Sequence, residues 1–419
     1  MDRPAPSRDD SLRRNRNFRL LVGAQSVTQL GAEIGAVVFP LAALLLLHAS
    51  PLEMGIVVAI QNGATLVLGL PAGAWIDRIS RRPVMIASDI ARALTLSTVP
   101  LAAALGRLTM VQIYIVAAVI SVGNIFFDIA YQSYLPSLIS REHLVGGNSK
   151  LESIRAVAQT GGPSLGGWLI QLAGAGTAVL GDAISFVGSA IFISSIQSKE
   201  PKREHFRGRP SWTEITDGLR FIIHHPVLRM ITLSSAIWNF FLHGAISLTM
   251  IFLSQTLALA PATIGLLFVP AALASILGAA ATALLARTLG SARIIWLATA
   301  VTAPFALLVP LTTPGAGLAL FLLSNVVCSF GQLVFNVSQT SFRQAICPDR
   351  LQGRANAASY VLGMGPAPLG ALLGGALGSA VGVREAMWIL GAGLALSCVP
   401  LLLSPLVKMR DTLVPVTVW

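Results

Sequence analysis

A chain of 419 residues that is 54% hydrophobic and only 11% charged falls outside the soluble globular class, in which about 25% of residues are charged. Its net charge of +11 excludes nucleic acid as the partner, because the basic residues gather at the ends of alternate apolar segments instead of forming one patch. Apolar runs recur along the whole length, each long enough to cross a hydrocarbon core of about 30 Å, and the alternating segments of an outer-membrane barrel are absent.

In chain order, twelve helical spans are predicted at 18–47, 52–75, 84–105, 110–135, 149–172, 178–197, 227–256, 262–286, 292–311, 316–342, 355–379 and 385–405. The first follows a basic stretch, as in a signal peptide. It is too long for an apolar signal core and no small-residue cleavage site follows, so it reads as a retained helix. The expected organisation is a tail at 1–17, a six-helix bundle at 18–197, a linker at 198–226, a second six-helix bundle at 227–405 and a tail at 406–419. Basic clusters at Arg3 to Arg19, Arg78 to Arg82, Arg141 to Arg155, Lys199 to Arg229, Arg287 with Arg293, Arg343 to Arg354, and Lys408 with Arg410 alternate with loops holding little beyond Arg107 and Arg384. By the positive-inside rule both termini are cytoplasmic. Within the linker, Ser211 and Glu214 make a capping box. Trp212, Ile215, Leu219, Ile222 and Ile223 then share a face opposite Asp217, Arg220 and His224. That pattern predicts an interfacial helix on the cytoplasmic leaflet, or a linker helix docked on the protein. Cys328, Cys347 and Cys398 have neither metal nor disulfide spacing and read as packing residues.

The two halves repeat. Gln132 to Gly146 aligns with Gln339 to Gly353 at an offset of 207, Asn148 and Asn356 follow, and Gly162-Pro163 corresponds to Gly365-Pro366. The loop Arg78 to Pro83 has a degenerate echo in Arg287 to Arg293. Two parallel six-helix repeats with a site between them at mid-membrane is a secondary-transporter arrangement.

The stretch Gly73-Ala-Trp-Ile-Asp77-Arg78-Ile-Ser-Arg81-Arg82-Pro-Val resembles the major facilitator loop signature G-x-L-A-D-R-x-G-R-R, with Trp75 for the usual Leu and Ser80 for the second Gly. Asn17 to Ser26, Ser88 to Ala93, Phe127 to Tyr131 and Gly181 to Phe186 are similar to the branch holding the enterobactin exporter and the macrolide-efflux proteins. The resemblance implies an all-α membrane protein with twelve helices in two pseudo-symmetric bundles. It also implies a monomer in a bacterial cytoplasmic membrane, without cofactor or metal, that exports small amphiphiles (antibiotic, drug or siderophore-like) in exchange for protons. An importer or symporter, a lysophospholipid flippase of the same superfamily and a non-transporting sensor or scaffold are the other readings. In related exporters the loop acid, its Arg and an acid on the fourth helix hold an inner gate shut; the resemblance carries this onto Asp77, Arg81 and Asp128, with Gly73, Arg78 and Arg82 completing the motif. A static surface ion pair would use the same residues. The run Gly162-Pro163-Ser-Leu-Gly166-Gly167 resembles the core of the antiporter motif, with Ala158 in place of an upstream glycine. Pro163 removes a helical hydrogen bond and the glycines permit close contact, so a bendable seam is expected; generic helix packing accounts for the same residues.

Charges inside hydrocarbon are costly and each needs a reason. Glu33 stands about 15 residues into the first span, roughly 22 Å along it, with no basic residue within a helical turn on its own helix. Desolvation favours its protonated form, as proton coupling requires. Asp128 and His243 are the further coupling candidates, although a satisfied packing histidine is the commoner case. Asp89 and Arg92, three apart, neutralise each other, and Asp182 is read at the start of the sixth span, facing that helix's positive end. The fold implied by the resemblance puts Gln25, Gln29, Gln61, Asn62 and Asn124 of the first half beside a central cavity, with Trp238, Asn239, Asn325, Gln332 and Asn336 of the second. No mid-membrane Lys or Arg is expected for an anion. Neither a nucleotide-binding loop nor a nucleophile elbow is present, which argues against an enzyme.

Overall fold

The computed structural model describes residues 15–76, 79–139, 143–197, 212–348 and 351–411. Among them every regular element is helical: α1 (Arg16–Leu47), α2 (Pro51–Ile76), α3 (Arg81–Ala104), α4 (Met110–Leu138), α5 (Leu144–Ala173), α6 (Ala175–Ser194), α7 (Trp212–His224), α8 (Pro226–Ile251), α9 (Pro261–Leu267), α10 (Val269–Leu289), α11 (Arg293–Thr302), α12 (Leu318–Ile346), α13 (Gln352–Met364), α14 (Ala367–Val381), α15 (Val383–Leu396) and α16 (Val399–Leu402). Hydrocarbon offers the backbone no partners, so each span satisfies its own amides. Ten described helical stretches are long and apolar enough to cross a membrane. With α5 and the shorter stretch Arg293–Leu308 they account for the twelve expected spans.

Proline decides where spans are interrupted, and not every proline does so. The eighth span divides at Phe268 into α9 and α10, two residues before Pro270, and the eleventh divides at Gly365-Pro366 into α13 and α14. Pro163 behaves differently from the expected seam: α5 runs unbroken from Leu144 to Ala173. One missing amide hydrogen is tolerated there, whereas Pro366 and Pro368 remove two within a turn. The ninth span tightens into a 3-10 turn at Ala303–Leu308, around Pro304.

Contacts gather the described residues into two units that cross the sequence halves. One takes residues from 1–49, 64–207 and 260–266; the other from 50–63, 208–259 and 267–419. Glycines explain both exchanges. In the second unit, a Cβ on Gly55 of α2 would stand 2.7 Å from the Ala371 carbonyl oxygen of α14, and one on Gly375 would stand 2.7 Å from that of Pro51. Ser379 Oγ accepts from Leu52 N at 3.1 Å. In the first unit, Gly265 of α9 rests on the Pro163 carbonyl, Gly167 rests on Pro261, and Gln171 Oε1 accepts from Ala262 N at 3.3 Å.

Asn15 starts α1, its Oδ1 accepting from Phe18 N at 3.1 Å while its Nδ2 donates to Leu138 O of α4 at 3.1 Å. Phe18, Leu21, Met85, Phe127, Tyr134 and Ile193 form the core beside this end. In the second unit α7 is docked through part of its apolar side: Ile222 is buried in one core with Leu228, Phe335, Phe342 and Ala358, and Gly218 lies against the Arg354 backbone. Ile223, placed on the same apolar face, is exposed. The capping residue Ser211 lies outside the described residues.

Candidate functional site

The first unit carries a charged interior. Arg92 is the twelfth of 24 residues in α3, so a cation stands midway along a span. It pairs with Asp89 as the i,i+3 spacing predicts. Arg92 also donates from Nη1 to Asn124 Oδ1 at 2.6 Å and from Nε to Ser88 O at 3.3 Å. Its guanidinium lies 4.2 Å from the Phe186 ring centroid and 4.8 Å from that of Phe127. Gly123 of α4 leaves the room that the Arg92 stem fills, since a Cβ there would stand 2.8 Å from Arg92 Cγ. Arg92 and Asp89 are both buried, so this arginine is fully engaged and is not free to hold an anion. Asn124, assigned to the cavity by resemblance, is spent on it.

Glu33 is not isolated. On α1 it has no cation, but α5 brings Arg155 into electrostatic range and Gln159 into hydrogen-bonding reach. Gly162 permits this approach, because a Cβ there would collide with Glu33 Cβ, and Gly166 likewise lies 2.9 Å, at its Cβ position, from the Ile34 carbonyl oxygen. The same Arg155 acts on Asp128 of α4, as does Arg92. Glu33 is half-buried, while Asp128, Arg155 and Glu152, one turn before it on α5, are exposed. One arginine is therefore shared by two carboxyls drawn from α1 and α4.

The inner-gate motif is only partly visible. Asp77 and Arg78 lie outside the described residues; Gly73 lies within α2. Arg81 is buried at the start of α3, and Arg82 closes the end of α6 by donating from Nε to Ile193 O at 3.1 Å and from Nη2 to Ser194 O. Asp182 is not at the opening of α6. It lies two turns inside, buried against Gly31 and Gly35 of α1.

The second unit presents uncharged polar groups. On α8, Ser235, Asn239 and His243 recur every four residues. Asn239 Nδ2 donates to Ser235 O at 2.9 Å, and His243 Nδ1 lies 2.9 Å from Asn239 O. On α12, Gln332 and Gln339 both donate to Asn336 Oδ1, at 3.3 and 3.1 Å, and Ser235 Oγ donates to Gln339 Oε1 at 3.4 Å. Asn325 turns back to Phe321 O at 3.0 Å, as Asn62 of α2 does to Val58 O at 2.8 Å. Trp238 is buried in a core with Ala303, Ala306 and Leu394, so it does not face open space. Gln25 is also buried, while Gln29 and Gln61 are half-buried. Sequence reasoning missed Arg155 and Gln159 beside Glu33, and Ser235 and Gln339 in the amide chain. Among the described residues no group of three or more His, Cys, Asp or Glu is arranged to hold a metal ion.

A family profile described as Major Facilitator Superfamily matches residues 21–367. The multidrug efflux pump Tap of Mycolicibacterium fortuitum is 27% identical over 385 residues, covering 87% of this chain and 90% of that protein. The uncharacterized MFS-type transporter YfiS of Bacillus subtilis (strain 168) is 27% identical over 222 residues, 52% of this chain and 51% of its own. Among solved structures, a bacterial homologue of the iron transporter ferroportin in its inward-facing state aligns with a TM-score of 0.73 at 20% identity, over 92% of this chain and 98% of that one. The nucleoside transporter NupG aligns with a TM-score of 0.70 at 13% identity, over 94% and 100%. At such identities these two structures speak for the fold alone.

Proposed function

The chain belongs to the Major Facilitator Superfamily, and on that premise we propose that it exports small amphiphilic molecules across the bacterial cytoplasmic membrane in exchange for protons. The observation that carries this reading is Arg155 shared between Glu33 and Asp128. Two guanidiniums, Arg92 and Arg155, face three carboxyls, Asp89, Asp128 and Glu33, so one acid is left to hold a proton or meet a cation from outside. A cationic amphiphile entering from the cytoplasm satisfies that acid and releases its proton; reprotonation from the opposite side releases the cargo. The similarity to a multidrug efflux pump over most of the chain supports the outward direction. Within the second unit the amides of α8 and α12 are uncharged, which suits varied cargo. Asp77 and Arg81 act as the inner gate, with Asp128 linking that gate to the proton pair, and both termini lie in the cytoplasm.

The test is twofold. Expression in a pump-deleted host should raise resistance to cationic amphiphilic drugs. Inverted vesicles should accumulate such a drug when their lumen is acidified and lose it when the gradient is collapsed. Uptake indifferent to the pH gradient refutes the exchange, and reporter fusions placing residue 205 outside refute the topology.

A further inference from the structure

One turn of α1 carries a carboxyl on one side and meets another on the opposite side. Glu33 faces α5, where Gly162 lets the backbones close. On the other side Gly31 and Gly35 leave room for Asp182 of α6: a Cβ on Gly31 would stand 3.0 Å from Asp182 Oδ1, and one on Gly35 would collide with Oδ2. Asp182 is only 6% exposed. The hydrogen bond to its carboxyl is a long one, 3.4 Å from Ser185 Oγ, and that hydroxyl is already directed at the Asp182 main-chain oxygen at 2.7 Å. Arg92 reaches Asp182 through space but is bonded to Asp89.

The charges of the first unit then divide as follows. Arg92 is bonded to Asp89 and also acts on Asp128, while Arg155 acts on Glu33 and Asp128. Asp182 has no arginine of its own among the described residues. A carboxylate buried with neither a contacting cation nor strong donors is far more costly than the neutral acid. A second unpaired polar group lies one turn away. Thr28 is one turn from Gly31 on the same face of α1, 5% exposed, and its Oγ1 has no hydrogen-bond partner. Ser185 beside Asp182 and Ser189 beside Asp89 add two further hydroxyls on α6.

We propose that Asp182 is a second protonation site of the transport cycle, binding one proton on its carboxylate in addition to the one shared by Glu33 and Asp128. The proposal rests on the proton-exchange reading above, and no bond other than that O–H forms or breaks at Asp182.

Proteoliposomes with tetraphenylphosphonium as the probe give the number of protons exchanged per cation, from the pH gradient that just balances a known cation gradient. Asp182→Asn should lower that number by about half while exchange persists. An unchanged number overturns the second site and makes Asp182 a permanently neutral packing acid, whereas a wild type that moves no protons at all overturns the exchange reading as well. Should Asp182→Asn fail to insert, infrared titration of Glu33→Gln/Asp128→Asn decides. A titrating protonated-carboxyl band must remain in that variant, and its absence overturns the proposal.

Discussion

Arg92→Ala offers the sharpest test of the charged interior. It removes the guanidinium bonded to Asp89 and Asn124 and lying over Phe186 and Phe127. Orphaning a buried acid such as Asp89, which is 0% exposed, costs about 3–5 kcal/mol. Losing two ring contacts adds about 1–2 kcal/mol. Protonation of Asp89 limits the first figure, so about 3 kcal/mol is a fair lower value. At about 2–4 °C per kcal/mol for a unit of this size, the midpoint of heat-induced loss of monodisperse protein should fall by roughly 6 °C or more. Asp89→Asn alone leaves Arg92 its bonds to Asn124 and Ser88 and should cost less. The double variant Asp89→Asn/Arg92→Ala removes both charges of the pair and should be more stable than the sum of the singles predicts, by about 1–3 kcal/mol. Arg92→Lys keeps the charge but loses the planar fork and should fall between. An Arg92→Ala midpoint within about 1 °C of wild type, or strict additivity in the cycle, would refute the description of this interior as a coupled network.

Gly162→Ala forces a methyl group into Glu33 and should abolish export, whereas Gly161→Ala, next to it but facing open space, should leave export intact and raise helix stability by up to about 1 kcal/mol; equal effects in a vesicle assay would discredit the packing. Glu33→Gln should lose proton-driven accumulation while downhill equilibration of a neutral substrate survives, and a retained gradient would move the coupling role to Asp128. His225 caps α8 by accepting from Leu228 N on Nδ1 at 3.2 Å, and burial lowers its pKa. Its folded form thus binds a proton less readily than the unfolded chain, and the cap's stability, complete above about pH 6.5, is lost as pH falls towards the folded pKa. His225→Asn keeps a capping acceptor and should flatten that pH dependence in thermal melts; an unaltered slope would assign the effect elsewhere.

The twelve spans were legible because hydrocarbon demands long apolar helices, and the repeat because Gly-Pro pairs stand in matching places in both halves. The polar interior was legible only in part. Spacing along one helix announces the Asp89–Arg92 pair, but nothing near Glu33 in the chain announces Arg155, 122 residues later. Asp182 lies two turns inside α6 because that helix opens at Ala175, three residues before the predicted span begins. Pro163 and Pro366 carry the same local signal and differ in outcome, since α1 and α9 close tightly on the glycines and proline of α5 while Pro368 reinforces the break before α14.

The seam between α2 and α14 sets a timetable for biogenesis. Gly55 and its partner Gly375 are 320 residues apart. At about 5–20 residues per second, a ribosome takes roughly 16–64 s to travel between them. Throughout that interval the first half of α2 has been made, while the helix that packs on its Gly55 face has not. A fragment ending before α14 therefore leaves the translocon with that face unmatched. Quality-control proteases that survey the membrane would meet it there.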